Sequence, residues 1–124
     1  MAGKESTPAI YGASGFRRLL RDIDDRYSGA FDELGPGALQ DFKHMIDCVD
    51  AFLDLQADPK IDFRVKLMDY AKVREDVLEF CHFYASWLGN LLMEGLKHEI
   101  YELLEEAIGW WGRHQIYDEM EGTK

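Results

Sequence analysis

Two stretches of the chain place a carboxylate three residues before a histidine: Asp41-Phe42-Lys43-His44 and Glu79-Phe80-Cys81-His82. On facing helices, that spacing supplies the inward ligands of carboxylate-bridged di-metal centres. Helical phase argues against it here. At about 100° per residue, His44 falls roughly 180° from the centre of the apolar seam of its helix, and His82 and His98 fall roughly 160° from theirs. The imidazoles are therefore expected to face solvent or an interface, and no metal or other cofactor is expected. Nucleophilic chemistry would have to use Cys48, Cys81 or a serine with His44, His82, His98 or His114 as base. None of these lies in a recognisable loop motif, and Cys81 flanks an apolar stripe, where cysteine behaves as a small hydrophobe. No glycine-rich loop follows a strand, so a phosphate cradle is not indicated. The chain reads as a non-enzyme.

The elements that carry these residues follow from the recurrence of apolar side chains. Phe16, Leu19, Leu20, Ile23, Tyr27, Ala30, Phe31 and Leu34 repeat with the i, i+3, i+4, i+7 spacing of an amphipathic helix, with Ser14 placed to cap it. Gly35-Pro36-Gly37 should stop that helix and start the next, closing an antiparallel hairpin. Leu39, Phe42, Ile46, Val49 and Phe52/Leu53 form a narrow seam on the second helix, which should end near Ala57-Asp58-Pro59. A third helix is expected from about Asp62, with Leu67, Tyr70, Val77, Cys81, Tyr84, Leu88 and Leu91 on its stripe. Its end could fall at Gly89-Asn90 or at Gly95, or it could run on without a break; the polarity of ordinary loops favours Gly95. Leu96, Ile100, Leu103, Leu104, Ala107, Ile108 and Trp111 line one face of a fourth helix, which Gly109-Trp110-Trp111-Gly112 interrupts or closes. The expected fold is an all-α, single-domain bundle of about four helices over residues 14–120, with a flexible segment 1–13 and a polar end 121–124.

Charge placement supports the hairpin. Arg17, Arg18 and Arg21 crowd the start of the first helix, and Asp47, Asp50, Asp54 and Asp58 drift toward the end of the second, both against the helix dipole. Closing the hairpin at Pro36 sets Arg17 beside Asp54 and Arg21 beside Asp50 or Asp54, so the two anomalies answer each other.

The composition narrows the functional classes. With 24 acidic against 14 basic residues the net charge is -10, which repels nucleic-acid phosphates and anionic membrane surfaces. The longest uncharged run, residues 80–93, has 14 residues, short of the roughly 20 that span a bilayer. The start of the chain lacks the apolar core of a signal peptide, and the two cysteines stand far apart. A cytoplasmic protein with free thiols is expected. Apolar side chains cover more than half of the third helix, Leu78 and Phe83 lying on opposite flanks, so that helix is either central or covered by another chain. Because aromatic residues concentrate at binding hot spots, Phe83, Tyr84, Trp87, Trp110 and Trp111 are the candidate interface. The first functional expectation is contact with a protein partner or with further copies of the chain, as a regulatory subunit, assembly factor or inhibitor. A second is an acidic inhibitor that occupies a basic nucleic-acid site, using Asp47, Asp58, Glu99, Glu102, Glu105 and Glu106 as one face. A third is a helical bundle that holds a small ligand or acts as an enzyme, with a pocket among the aromatic residues.

Overall fold

The computed structural model describes the backbone of residues 13–122 and the side chains of residues 15–110. Among them are four helices and no strand: α1 (Ala13–Leu34), α2 (Pro36–Ala57), α3 (Phe63–Leu88) and α4 (Asn90–Gly122). Successive helices run antiparallel. The tightest pairings are α1 with α2 and α3 with α4, so the bundle is two helical hairpins packed on each other. The expected segments 1–13 and 121–124 fall mostly outside the described residues.

Each junction has a local cause. Gly35 sits at φ 136°, a conformation costly for any residue with a Cβ, and its N–H donates to the Asp32 carbonyl while Pro36 occupies the first turn of α2. Asp58 closes α2: its carboxylate accepts from the Lys60 N–H at 2.9 Å, and Asp62 then caps α3 by accepting from the Arg64 N–H. The third junction differs from expectation. Gly89, at φ 100°, ends α3 with its N–H on the Ala85 carbonyl at 2.8 Å, and α4 begins at the next residue. Gly95 lies inside α4 instead, where a Cβ would stand 3.2 Å from the Tyr27 hydroxyl. The missing side chain there lets α4 approach α1. Two further boundaries also differ. Gly109 to Gly112 do not break α4, which continues to Gly122, and α1 begins at Ala13, placing Ser14 within its first turn.

The core is one cluster fed by all four helices. Phe31 of α1 stacks on Phe42 of α2 with ring centroids 4.6 Å apart and meets Tyr84 of α3 edge-on at 5.2 Å. Leu96, Ile100 and Leu104 bring in the face of α4. The stripe expected for the third helix is altered: Leu67 is exposed, Leu91 falls on α4 and is exposed there, and Lys66 is buried with 2% of its surface exposed. The Lys66 ammonium donates to the Gln56 carbonyl at 2.8 Å, and the Gln56 amide donates back to the Lys66 carbonyl at 3.1 Å. Gln56 lies in the last turn of α2, where carbonyls lack partners and a cation is favoured by the dipole. Burial lowers the Lys66 pKa, opposed by the charge of Asp58. Lys66→Met is expected to cost about 1–3 kcal/mol, because it orphans a buried carbonyl, as read by urea denaturation; an unchanged midpoint would show that the clasp contributes nothing.

The hairpin ladder forms with one change. The Arg17 guanidinium meets both Asp50, at 3.2 Å, and Asp54, and Lys43 pairs with Asp24 at 2.7 Å. Arg21, expected beside the same aspartates, makes no ion pair with another described residue. Arg17 has already filled that position. These pairs are exposed and contribute about 0–1 kcal/mol each, so they fix the register of the hairpin more than its stability.

Candidate functional site

The residues best suited to bond-making chemistry are not assembled for it. His44, His82 and His98 are exposed, as their phase predicts, and His98 pairs with Glu102 one turn on at 3.1 Å. His114 lies outside the described side chains. Among the described residues, no three of His, Cys, Asp and Glu gather as a metal site would require. Cys48 and His44 stand 3.9 Å apart, but burial, reinforced by Asp76, pushes the Cys48 thiol pKa up. Burial pushes the Cys81 thiol further, to about 12. A nucleophilic cysteine needs the opposite shift.

Two surfaces stand out instead. The first is the apex where α3 turns into α4. Phe83 is 60% exposed, Trp87 64% and Leu91 90%, following one another at four-residue spacing across the Gly89 turn. Leu78 and Leu92 are exposed beside them in sequence, and no charged side chain interrupts residues 80–93. Large apolar side chains are thus left in water near one end of the bundle. The aromatic residues singled out from sequence divide between surface and core. Tyr84 is buried and donates to the Asp41 carboxylate at 2.6 Å, while Trp110 is half-buried with its ring edge-on to Phe16 at 6.3 Å. The Trp111 side chain lies outside the described residues.

The second surface is an open cleft of about 620 Å³ between α1 and α4. Phe16, Leu19, Ile23 and Leu103 form its apolar part, and Asp22, Glu99, Glu102, Glu105 and Glu106 surround them with Arg26. Glu99 is held at one end by a two-pronged contact from Arg26, at 2.5 and 2.9 Å, and accepts from the buried Tyr27 hydroxyl at 2.8 Å. The Arg26 guanidinium, aided by Tyr27 and opposed by burial, keeps the Glu99 pKa below the usual carboxylate value. Of the six acidic residues proposed as one face, Glu99, Glu102, Glu105 and Glu106 line this cleft, whereas Asp47 on α2 and Asp58, which caps its end, do not. Sequence phase alone missed the cleft because Glu99 looks like a solvated charge until α1 supplies Arg26.

No helix among the described residues is long and apolar enough to cross a membrane. Comparison of the chain with protein-family models, with curated proteins and with solved structures returned no match.

Proposed function

We propose that the protein acts through protein–protein contacts at the α3–α4 apex, as a regulatory subunit, assembly factor or inhibitor of a larger partner. The exposure of Phe83, Trp87 and Leu91 in an uncharged stretch supports this reading. Tryptophan and phenylalanine left in water gain most from being covered, and such anchors dominate interface energetics. The acidic-mimic reading has less support. Asp58 is engaged in the turn after α2, and Glu99 is neutralised by Arg26, so two of its six carboxylates are occupied within the chain.

The test is recovery of the tagged chain from its native host, followed by native mass spectrometry of the recovered species. A stoichiometric complex, with a partner or with a second copy, is expected. Trp87→Ala and Phe83→Ala should each weaken it by about tenfold or more while circular dichroism stays helical. A chain that stays monomeric and unaccompanied, or a complex indifferent to both substitutions, would overturn the reading.

A further inference from the structure

We infer that the α1–α4 cleft is a second docking site, shaped to receive a basic amphipathic helix from a partner protein. The proposal does not depend on the apex, which lies on other residues and has no comparable charge.

The argument starts from the two helices that form the cleft. They run antiparallel, Tyr27 opposite Gly95 and Phe16 opposite Trp110. The lining spans Phe16 to Arg26 on one helix and Glu99 to Gly109 on the other, which at about 1.5 Å per residue is roughly 15 Å, or about three helical turns. A groove of that length between two helices is the geometry in which an amphipathic helix is bound by its apolar face. Its apolar strip is continuous with the core: Phe16, Ile23 and Leu103 are buried, and Leu19, 40% exposed, opens directly onto the cleft.

Charge identifies the occupant. Five carboxylates face one guanidinium around the cleft, and that guanidinium is spent on Glu99. Asp22, Glu105 and Glu106 make no ion pair with another described residue, and the contact of Glu102 is with His98, which is charged only when protonated. The carboxylates are spread along the length of the groove and flank an apolar strip. A segment with lysine or arginine on its sides and leucine-like residues on its face matches both features, whereas a small polyamine would meet only the charges. An acidic or neutral helix would leave the carboxylates unanswered.

The probe is a helical peptide of about 14 residues, built of lysine and leucine with a helical period. Its partner is an isomer of the same composition in scrambled order. Calorimetry should give micromolar binding at low salt for the patterned peptide and at least tenfold weaker binding for the scrambled one. Raising NaCl from about 0.05 to about 0.5 M should weaken the patterned complex roughly tenfold. Replacing Glu102, Glu105 and Glu106 together by glutamine should also weaken it about tenfold and flatten that salt dependence. Leu19→Ser should weaken it about threefold and leave the salt dependence intact. Two controls separate the site from net charge and from the apex: Asp32→Asn with Glu33→Gln and Asp47→Asn, which removes three carboxylates elsewhere, and Trp87→Ala. Neither should change peptide binding. Equal binding of the two peptides, equal loss in the remote-charge control, or binding insensitive to Leu19→Ser with full displacement by spermidine would each overturn the proposal. Those last results would reduce the cleft to a general acidic surface.

Discussion

Phe31→Ala is expected to lower stability by about 3–5 kcal/mol. A domain of this size has only about 5–15 kcal/mol to lose. Phe31 is fully buried and touches three other rings: Phe42 stacked at 4.6 Å, Tyr84 edge-on at 5.2 Å and Phe80 tilted at 5.4 Å. One side chain of α1 thus ties α2 and α3 together. Removing it costs the transfer free energy of the ring and leaves a cavity that three rigid neighbours cannot close. Phe83→Ala removes the same atoms from a mostly exposed site and should stay within about 0.5 kcal/mol. Urea denaturation followed by circular dichroism measures both. A loss below about 1 kcal/mol for Phe31→Ala would show that the aromatic cluster does not organise the core.

Phe31 was legible in the sequence because apolar side chains on α1 and α2 recur in phase and polar ones fill the gaps. The same regularity placed the first turn at Gly35, the end of α2 at Asp58 and the start of α3 at Asp62. It failed where one residue type served an unusual end. Gly95 carries the signature of a helix stop, yet its bare Cα accommodates the Tyr27 hydroxyl, and only the packed pair of helices reveals that use. Gly89 does stop α3, inside an uncharged stretch that composition assigns to the interior. The turn falls there because the stretch is partly surface: Leu91, next to it, is almost fully exposed.

Charged side chains were the harder part, since their partners lie on other helices. Arg17 was predictable because a turn through the single residue Gly35 brings α1 and α2 into a fixed register. Arg26 and Glu99 are 73 residues apart, and nothing local pairs them. Lys66 reads as a solvated lysine, but its aliphatic stem is buried and its ammonium caps α2. Tyr84 shows the converse. Aromatic enrichment marked it for an interface, whereas its position opposite Phe31 and its bond to Asp41 make it core.

Tyr84 and Tyr27 together give the second large effect, a loss of stability in alkali. Burial, followed by the hydrogen bonds to Asp41 and Glu99 respectively, pushes each phenol up to about 12 from an ordinary value near 10. An unfolded chain releases these protons first, so between those values it binds fewer protons than the fold does. The stabilisation is therefore complete below pH 10 and disappears as the pH climbs through about 12. Each unit is worth about 1.4 kcal/mol, which sets an upper bound of about 2–3 kcal/mol per tyrosine. Cys81 adds to the same slope, because burial also raises its thiol to about 12. Glu99 slopes the other way: its depressed pKa gives stability that is lost as the pH falls below the ordinary carboxylate range, and Glu99→Gln should remove that acid limb. Tyr27→Phe and Tyr84→Phe should each flatten the alkaline limb, most of all in combination, in denaturation midpoints measured across the pH range. Ultraviolet titration of the folded protein should show a late phenolate step that Tyr27→Phe and Tyr84→Phe together remove. A titration that neither substitution changes would mean that neither hydroxyl is shielded, and the contacts that join α1 to α4 and α2 to α3 would then not be formed in solution.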